Sequence, residues 1–102
     1  MYRPNPLDTS SVILPEELSP LLEKLAEQVH ETWAQGRLED GWVYGEARDD
    51  DKRTTPCLVP YEALTEEEKD FDRMTALTTL KTIVALGYRI VASENGEGKA
   101  SP

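Results

Sequence analysis

The chain has 102 residues and a mass of 11.5 kDa, with 11 Lys and Arg against 20 Asp and Glu and a formal net charge of −9. A chain of this size buries roughly 65% of the surface that it exposes when unfolded, enough for one modest core and not for two. The acidic balance disfavours nucleic acid, whose phosphates call for a Lys/Arg stripe, and 38% hydrophobic with 30% charged residues excludes a disordered or fibrous chain.

Residues 1–17 read as an extended lead-in, because Pro4, Pro6 and Pro15 lack amide donors and disfavour helix in the residue before each. Within it, Val12, Ile13 and Leu14 are expected to form a short strand. From Leu18 the apolar residues recur as Leu21, Leu22, Leu25, Val29 and Trp33, the spacing of an amphipathic helix. Ser19 is the expected N-cap, Pro20 the first helical residue, and Gly36 or Gly41 the stop, so the helix is predicted over 19–37.

Gly41-Trp42-Val43-Tyr44-Gly45 then reads as an aromatic strand, 46–55 as a charged loop, and 56–60 as an apolar run bounded by prolines. Together these predict a small antiparallel sheet. Thr65-Glu66-Glu67-Glu68 is a capping box opening a second helix over 65–86, which Gly87 closes. Its expected buried face comprises Met74, Leu77, Leu80 and Val84, widened by Ala76 and Ile83. Tyr88 to Ala92 reads as a last strand, and 93–102 as a mobile tail without large apolar side chains. The fold class expected is therefore α+β, two helices on a small antiparallel sheet.

The single cysteine, Cys57, and the single histidine, His30, exclude an internal disulfide and a structural zinc site. His30-Glu31-Thr32-Trp33-Ala34 lacks the second histidine of a zinc-protease helix, since Ala34 holds that place. Asp49-Asp50-Asp51 lacks the spacing of a calcium loop. No metal or cofactor is expected. Ser10, Ser11 and Cys57 gain a base only if His30 comes within reach, which no local pattern arranges, so no enzyme is expected either. The first residues form no apolar leader, and Gly87 and Arg89 interrupt the most apolar stretch, 82–92, well short of a membrane span. A cytoplasmic protein without membrane or nucleic-acid partners is the expectation.

The first helix carries the more informative pattern. At about 100° per residue, His30, Trp33 and Arg37 fall roughly 40° to 100° from Val29, on one edge of the apolar face. A π-face, a donor fork and an imidazole thus share a ridge suited to a planar, anionic ligand. Trp42 and Tyr44 alternate onto one strand face beside it, with Arg48 on the adjoining loop. The plain alternative makes Trp33, Trp42 and Tyr44 core residues and His30 a locally bonded ring.

The chain carries, in order, Tyr2-x-Pro4-x-Pro6-x-Asp8-Thr9-Ser10, Leu14-Pro15-x-x-Leu18, His30-Glu31-x-Trp33-Ala34-x-x-Arg37 and Gly41-Trp42-x-Tyr44-Gly45. The series continues through Arg48-Asp49-Asp50, Pro56-x-Leu58-Val59-Pro60-Tyr61, Glu68-Lys69 and Leu86-Gly87-Tyr88. In this order of segments the chain resembles the ryanodine-receptor repeat, the RyR domain, and 1–92 is read as one repeat. Such repeats occur as tandem pairs in calcium-release channels and as stand-alone copies in bacteria and phages. The resemblance implies an α+β regulatory or recognition module of the stand-alone type rather than a channel, and the function expected is non-enzymatic binding of a purine nucleotide-like ligand. In the paired repeats the tryptophan that Trp33 matches lies toward the cleft between repeats. A symmetric homodimer with Trp33 at its cleft is the corresponding expectation, and a protein-interaction module without a small-molecule ligand is the alternative.

Overall fold

A computed structural model, described over residues 1–93, pairs two helices, α1 (Ser19–Glu39) and α2 (Glu66–Ala85). Most of the tail expected over 93–102 lies outside the described residues. The Leu22 end of α1 shares a groove with Leu77, whereas its Trp33 end shares a cleft with Phe71 and Asp72. Both ends of α1 thus meet α2 over the same stretch, from Phe71 to Lys81. Ala26 on α1 is fully buried, as are Ala76 and Leu80 on α2 nearly so, and Leu25, Val29, Leu77 and Val84 are half-buried. Burial of a side chain such as Leu80 stabilises by about 1.5–3 kcal/mol.

The two ends of α1 are built differently from each other. A 3-10 turn, Glu16–Leu18, runs straight into the helix, so Ser19 is already helical (φ −55°, ψ −45°) and does not cap it. At the C-terminus Gly41 takes φ +88°, the Gly41 amide donates to the Leu38 carbonyl at 3.0 Å, and the Trp42 amide donates to Arg37 at 2.9 Å. These are the two bonds of a Schellman closure, and they make Gly41 rather than Gly36 the stop. In α2 the capping box is complete: Thr65 Oγ1 accepts from the Glu68 amide at 3.1 Å, and the Glu68 carboxylate accepts from the Thr65 amide at 2.9 Å. Gly87, with φ +102°, ends that helix as its position predicts.

The sheet is smaller than expected and of opposite sense. It holds only β1 (Val43–Tyr44) and β2 (Thr54–Thr55), paired parallel with Val43 opposite Thr54. The intervening loop reverses twice, the second time through an antiparallel bridge between Asp49 and Thr54, and two reversals restore the original direction. Asp49 Oδ1 fixes that turn by accepting from the amides of Asp51 and Lys52. Gly45 is required where the strands meet, because a Cβ there would lie 2.6 Å from Thr54 Cβ.

The expected terminal strands are not strands. Val12 donates its amide to Thr9 in a turn, and Val12 and Leu14 pack into a groove with Leu18, Leu22 and Leu77 at the helix ends. Residues 88–92 likewise have no strand partner. Strand ladders need a neighbouring edge, and the two-residue sheet offers neither segment one. On α2, Met74 is 65% exposed and Ile83 37%, so the buried face is narrower than predicted.

Between sheet and helix, Tyr61 and Leu64 close over Ala26 as the small central cluster, with Cys57 and Val59 packed against it. Arg73 locks the helices by donating from Nε and Nη2 to the two carboxylate oxygens of Glu23, at 2.7 and 2.8 Å. It also reaches Asp70 at 2.7 Å and Glu66 at 3.2 Å. Among the described residues no helix is long and apolar enough to cross a membrane.

Candidate functional site

The site begins with His30. Its ring is only 3% exposed, and Nε2 lies 2.7 Å from the Val59 carbonyl oxygen. A carbonyl only accepts, so Nε2 carries the proton. The bond ties α1 to the segment leading into α2. The imidazole stacks on Trp33, with centroids 5.6 Å apart and planes at 27°, and meets Tyr61 at 6.2 Å.

From Trp33 the series continues outward. The Arg37 guanidinium lies 5.7 Å from the Trp33 ring and 4.8 Å from the Trp42 ring, and Arg48 lies 5.4 Å from Trp42. The Schellman closure explains this meeting: by bonding the Trp42 amide to the Arg37 carbonyl, it turns Trp42 back beside the last turn of α1. Among the described residues, the Arg37 guanidinium makes no hydrogen bond or ion pair, so its N–H donors are unclaimed. Arg48 is different, since its Nε donates to Asp50 at 2.8 Å.

Five of the six expected site residues are therefore contiguous: His30, Trp33, Arg37, Trp42 and Arg48. Tyr44 is not among them. It is 56% exposed and lines a separate groove with Gln35, Leu38 and Val43, whereas Trp42 is 9% exposed. The expectation that Trp42 and Tyr44 share a strand face fails because Trp42 belongs to the helix closure, ahead of β1, and is not held by the ladder.

Beside the ridge is a cleft of about 240 Å³ walled by His30, Trp33, Leu64 and Phe71, with Cys57, Glu68 and Asp72 as its polar groups. Cys57 Sγ donates to Glu68 Oε2 at 3.3 Å. Burial and that carboxylate push the thiol above its ordinary value, the opposite of nucleophile activation. Glu68 is held low, chiefly by the Thr65 amide. Asp72 is half-buried and pushed up by desolvation, with no hydrogen bond among the described residues. His30 and Cys57 thus do share a cleft, yet the thiol is bonded to a carboxylate and the histidine to a carbonyl. Among the described residues there is no group of three or more side chains able to hold a metal ion.

Phe71, Glu68 and Asp72 escaped the sequence reading because they stand some 40 positions from His30, and no local spacing links them. Tyr61 escaped for the same reason. It packs on the His30 ring and donates its hydroxyl to Glu23 at 3.0 Å.

Together these features define a small helix-pair module with an aromatic and cationic ladder along one helix and an acidic cleft beside it. A family model described as the RyR domain matches residues 2–92. The chain belongs to the RyR domain family, and it is a RyR-repeat module.

Proposed function

We propose that this module is a non-enzymatic recognition unit for a purine nucleotide-like ligand, with Trp33 as its platform. The observation that carries the reading is the Arg37 guanidinium, stacked between two tryptophan rings with its donors unclaimed. Stacking orients the fork without consuming it, so a phosphate or carboxylate can take bidentate hydrogen bonds. The cleft is smaller than the roughly 300–1,000 Å³ that drug-sized ligands occupy. A flat heterocycle fits that scale, with its tail left outside.

Charge sets the orientation. Glu68 and Asp72 repel an anionic tail, while the unbonded Asp72 carboxylate accepts from the exocyclic amino group of a purine. The base therefore enters beside Trp33 and Phe71, and the phosphate lies toward Arg37. The Cys57–Glu68 bond supports a binding role over a catalytic one, because it withholds the only thiol from nucleophilic chemistry. A protein-interaction module is the second reading, favoured by the exposed apolar residues Phe71, Met74 and Leu86 on α2.

Thermal unfolding with adenine, adenosine and purine mono- and triphosphates tests the first reading, because a ligand that binds only the folded state raises Tm. We expect a rise for at least one purine, abolished in a folded Trp33→Ala variant. Arg37→Ala should weaken the phosphorylated ligands more than the bare base. No rise across the panel, or unchanged binding by Trp33→Ala, overturns it.

A further inference from the structure

The outward face of α2 carries a pattern of which the ligand reading uses only Phe71, at one end. Residues 71, 74, 75, 78, 79, 82, 83 and 86 follow the helical spacing of one stripe, and none is charged in a chain where 30% of residues are. Phe71, Met74 and Leu86 on it are 73%, 65% and 64% exposed. Between its apolar ends lie four threonines. Three turn their hydroxyls inward: Thr75 donates to the Phe71 carbonyl at 3.0 Å, Thr79 to Thr75 at 2.8 Å and Thr82 to Thr78 at 2.7 Å. Their donors are thus satisfied within the helix, and the centre of the stripe requires no polar partner.

The chemistry of the stripe is palindromic about the midpoint of residues 78 and 79. Phe71 is matched by Leu86, Met74 by Ile83, Thr75 by Thr82, and Thr78 by Thr79. We propose that this face is a twofold interface on which the α2 helices of two copies of the chain pack antiparallel. Under that symmetry each large apolar residue meets a large one from the second copy, and small β-branched residues meet at the axis, where the backbones approach most closely. Antiparallel packing also sets the two helix dipoles in opposition. A heterologous partner would have no reason to match a palindrome.

The proposal does not depend on a ligand, so its test uses the full chain alone. Sedimentation equilibrium should return the dimer mass. Thr75→Glu and Thr82→Lys should each raise the dimer dissociation constant by about ten-fold or more, because a charge is then buried against a methyl group. Circular dichroism verifies that both variants remain helical. Mixed in equal amounts, they should recover the dimer, since positions 75 and 82 face one another only in the antiparallel register. A monomeric wild-type chain, dimers unaffected by either substitution, or no recovery on mixing overturns the interface. A dimer that takes up no purine would leave the interface standing and remove only the ligand reading.

Discussion

The imidazole of His30 and the carbonyl of Val59 meet at 2.7 Å across 29 positions of sequence, and the same ring lies 5.6 Å from Trp33. One residue thus anchors the core and backs the ridge. It holds the inner end of the aromatic series rigid, so that Trp33 and Arg37 present their outer surfaces in fixed positions. Replacement by phenylalanine keeps the ring volume and strands the Val59 oxygen. His30→Phe should cost about 1–3 kcal/mol, read as a lower urea midpoint, because an unsatisfied buried acceptor retains its desolvation penalty.

Gly45 has a steric role that a melting curve will reveal. A methyl group at its Cα would stand 2.6 Å from Thr54 Cβ, just past the end of β1. Gly45→Ala should destabilise by about 1–3 kcal/mol, the usual range for forced overpacking. Combining it with Thr54→Ser, which trims the opposing side chain, should recover part of the loss.

Acid should weaken the helix pair through Glu23. The Arg73 guanidinium beside it lowers its carboxyl from 4.5 to about 2. The folded value lies below the unfolded one, so this contribution is complete above 4.5 and is lost as pH falls from there toward 2. Glu66, held down by Arg73 and Lys69, acts in the same direction. Arg73→Gln should therefore flatten the decline of the urea midpoint across that window. The groups are solvent-exposed, so high salt should flatten it in the wild-type chain too.

At the alkaline end the sign is reversed. Burial, then the bond to Glu23, pushes the Tyr61 hydroxyl from 10.0 to about 12. A raised folded value makes the contribution complete below 10.0 and lost as pH rises toward 12. Phenolate absorbance should show one late-titrating tyrosine, absent in Tyr61→Phe.

Cys57 should alkylate slowly. Its thiol is half-buried, bonded to Glu68 and pushed upward, so little thiolate exists at neutral pH. Glu68→Gln should speed iodoacetamide modification by removing the negative charge that opposes ionisation. Equal rates in the two proteins would mean that access, and not charge, controls the thiol.

Local chemistry made both helices legible from sequence. The Thr65 to Glu68 capping box, Gly41 and Gly87 act over a single turn or two and appear in the structure where the sequence places them, while the 3.6-residue apolar period marks both helices but includes Met74 and Ile83, which α2 leaves exposed. His30, Trp33 and Arg37 share a ridge for the same reason, since they lie on one helix and their relative angles follow from its pitch. Trp42 joins them through the Gly41 closure, again a local device. Other features depend on encounters between distant segments. β1 and β2 run parallel because the 45–53 loop turns twice, and a count of apolar residues does not record the number of reversals. Val12 to Leu14 and Tyr88 to Ala92 have strand-like composition, but β propensity describes a fit to a neighbouring edge, and only the assembled chain shows that no edge is offered. The Phe71 and Asp72 walls of the cleft, the Arg73–Glu23 clasp and the bond from His30 to Val59 arise where the two packed helices and the returning chain bring remote residues together. Tertiary packing alone decided those contacts, because their energies depend on distances that no spacing within one element sets.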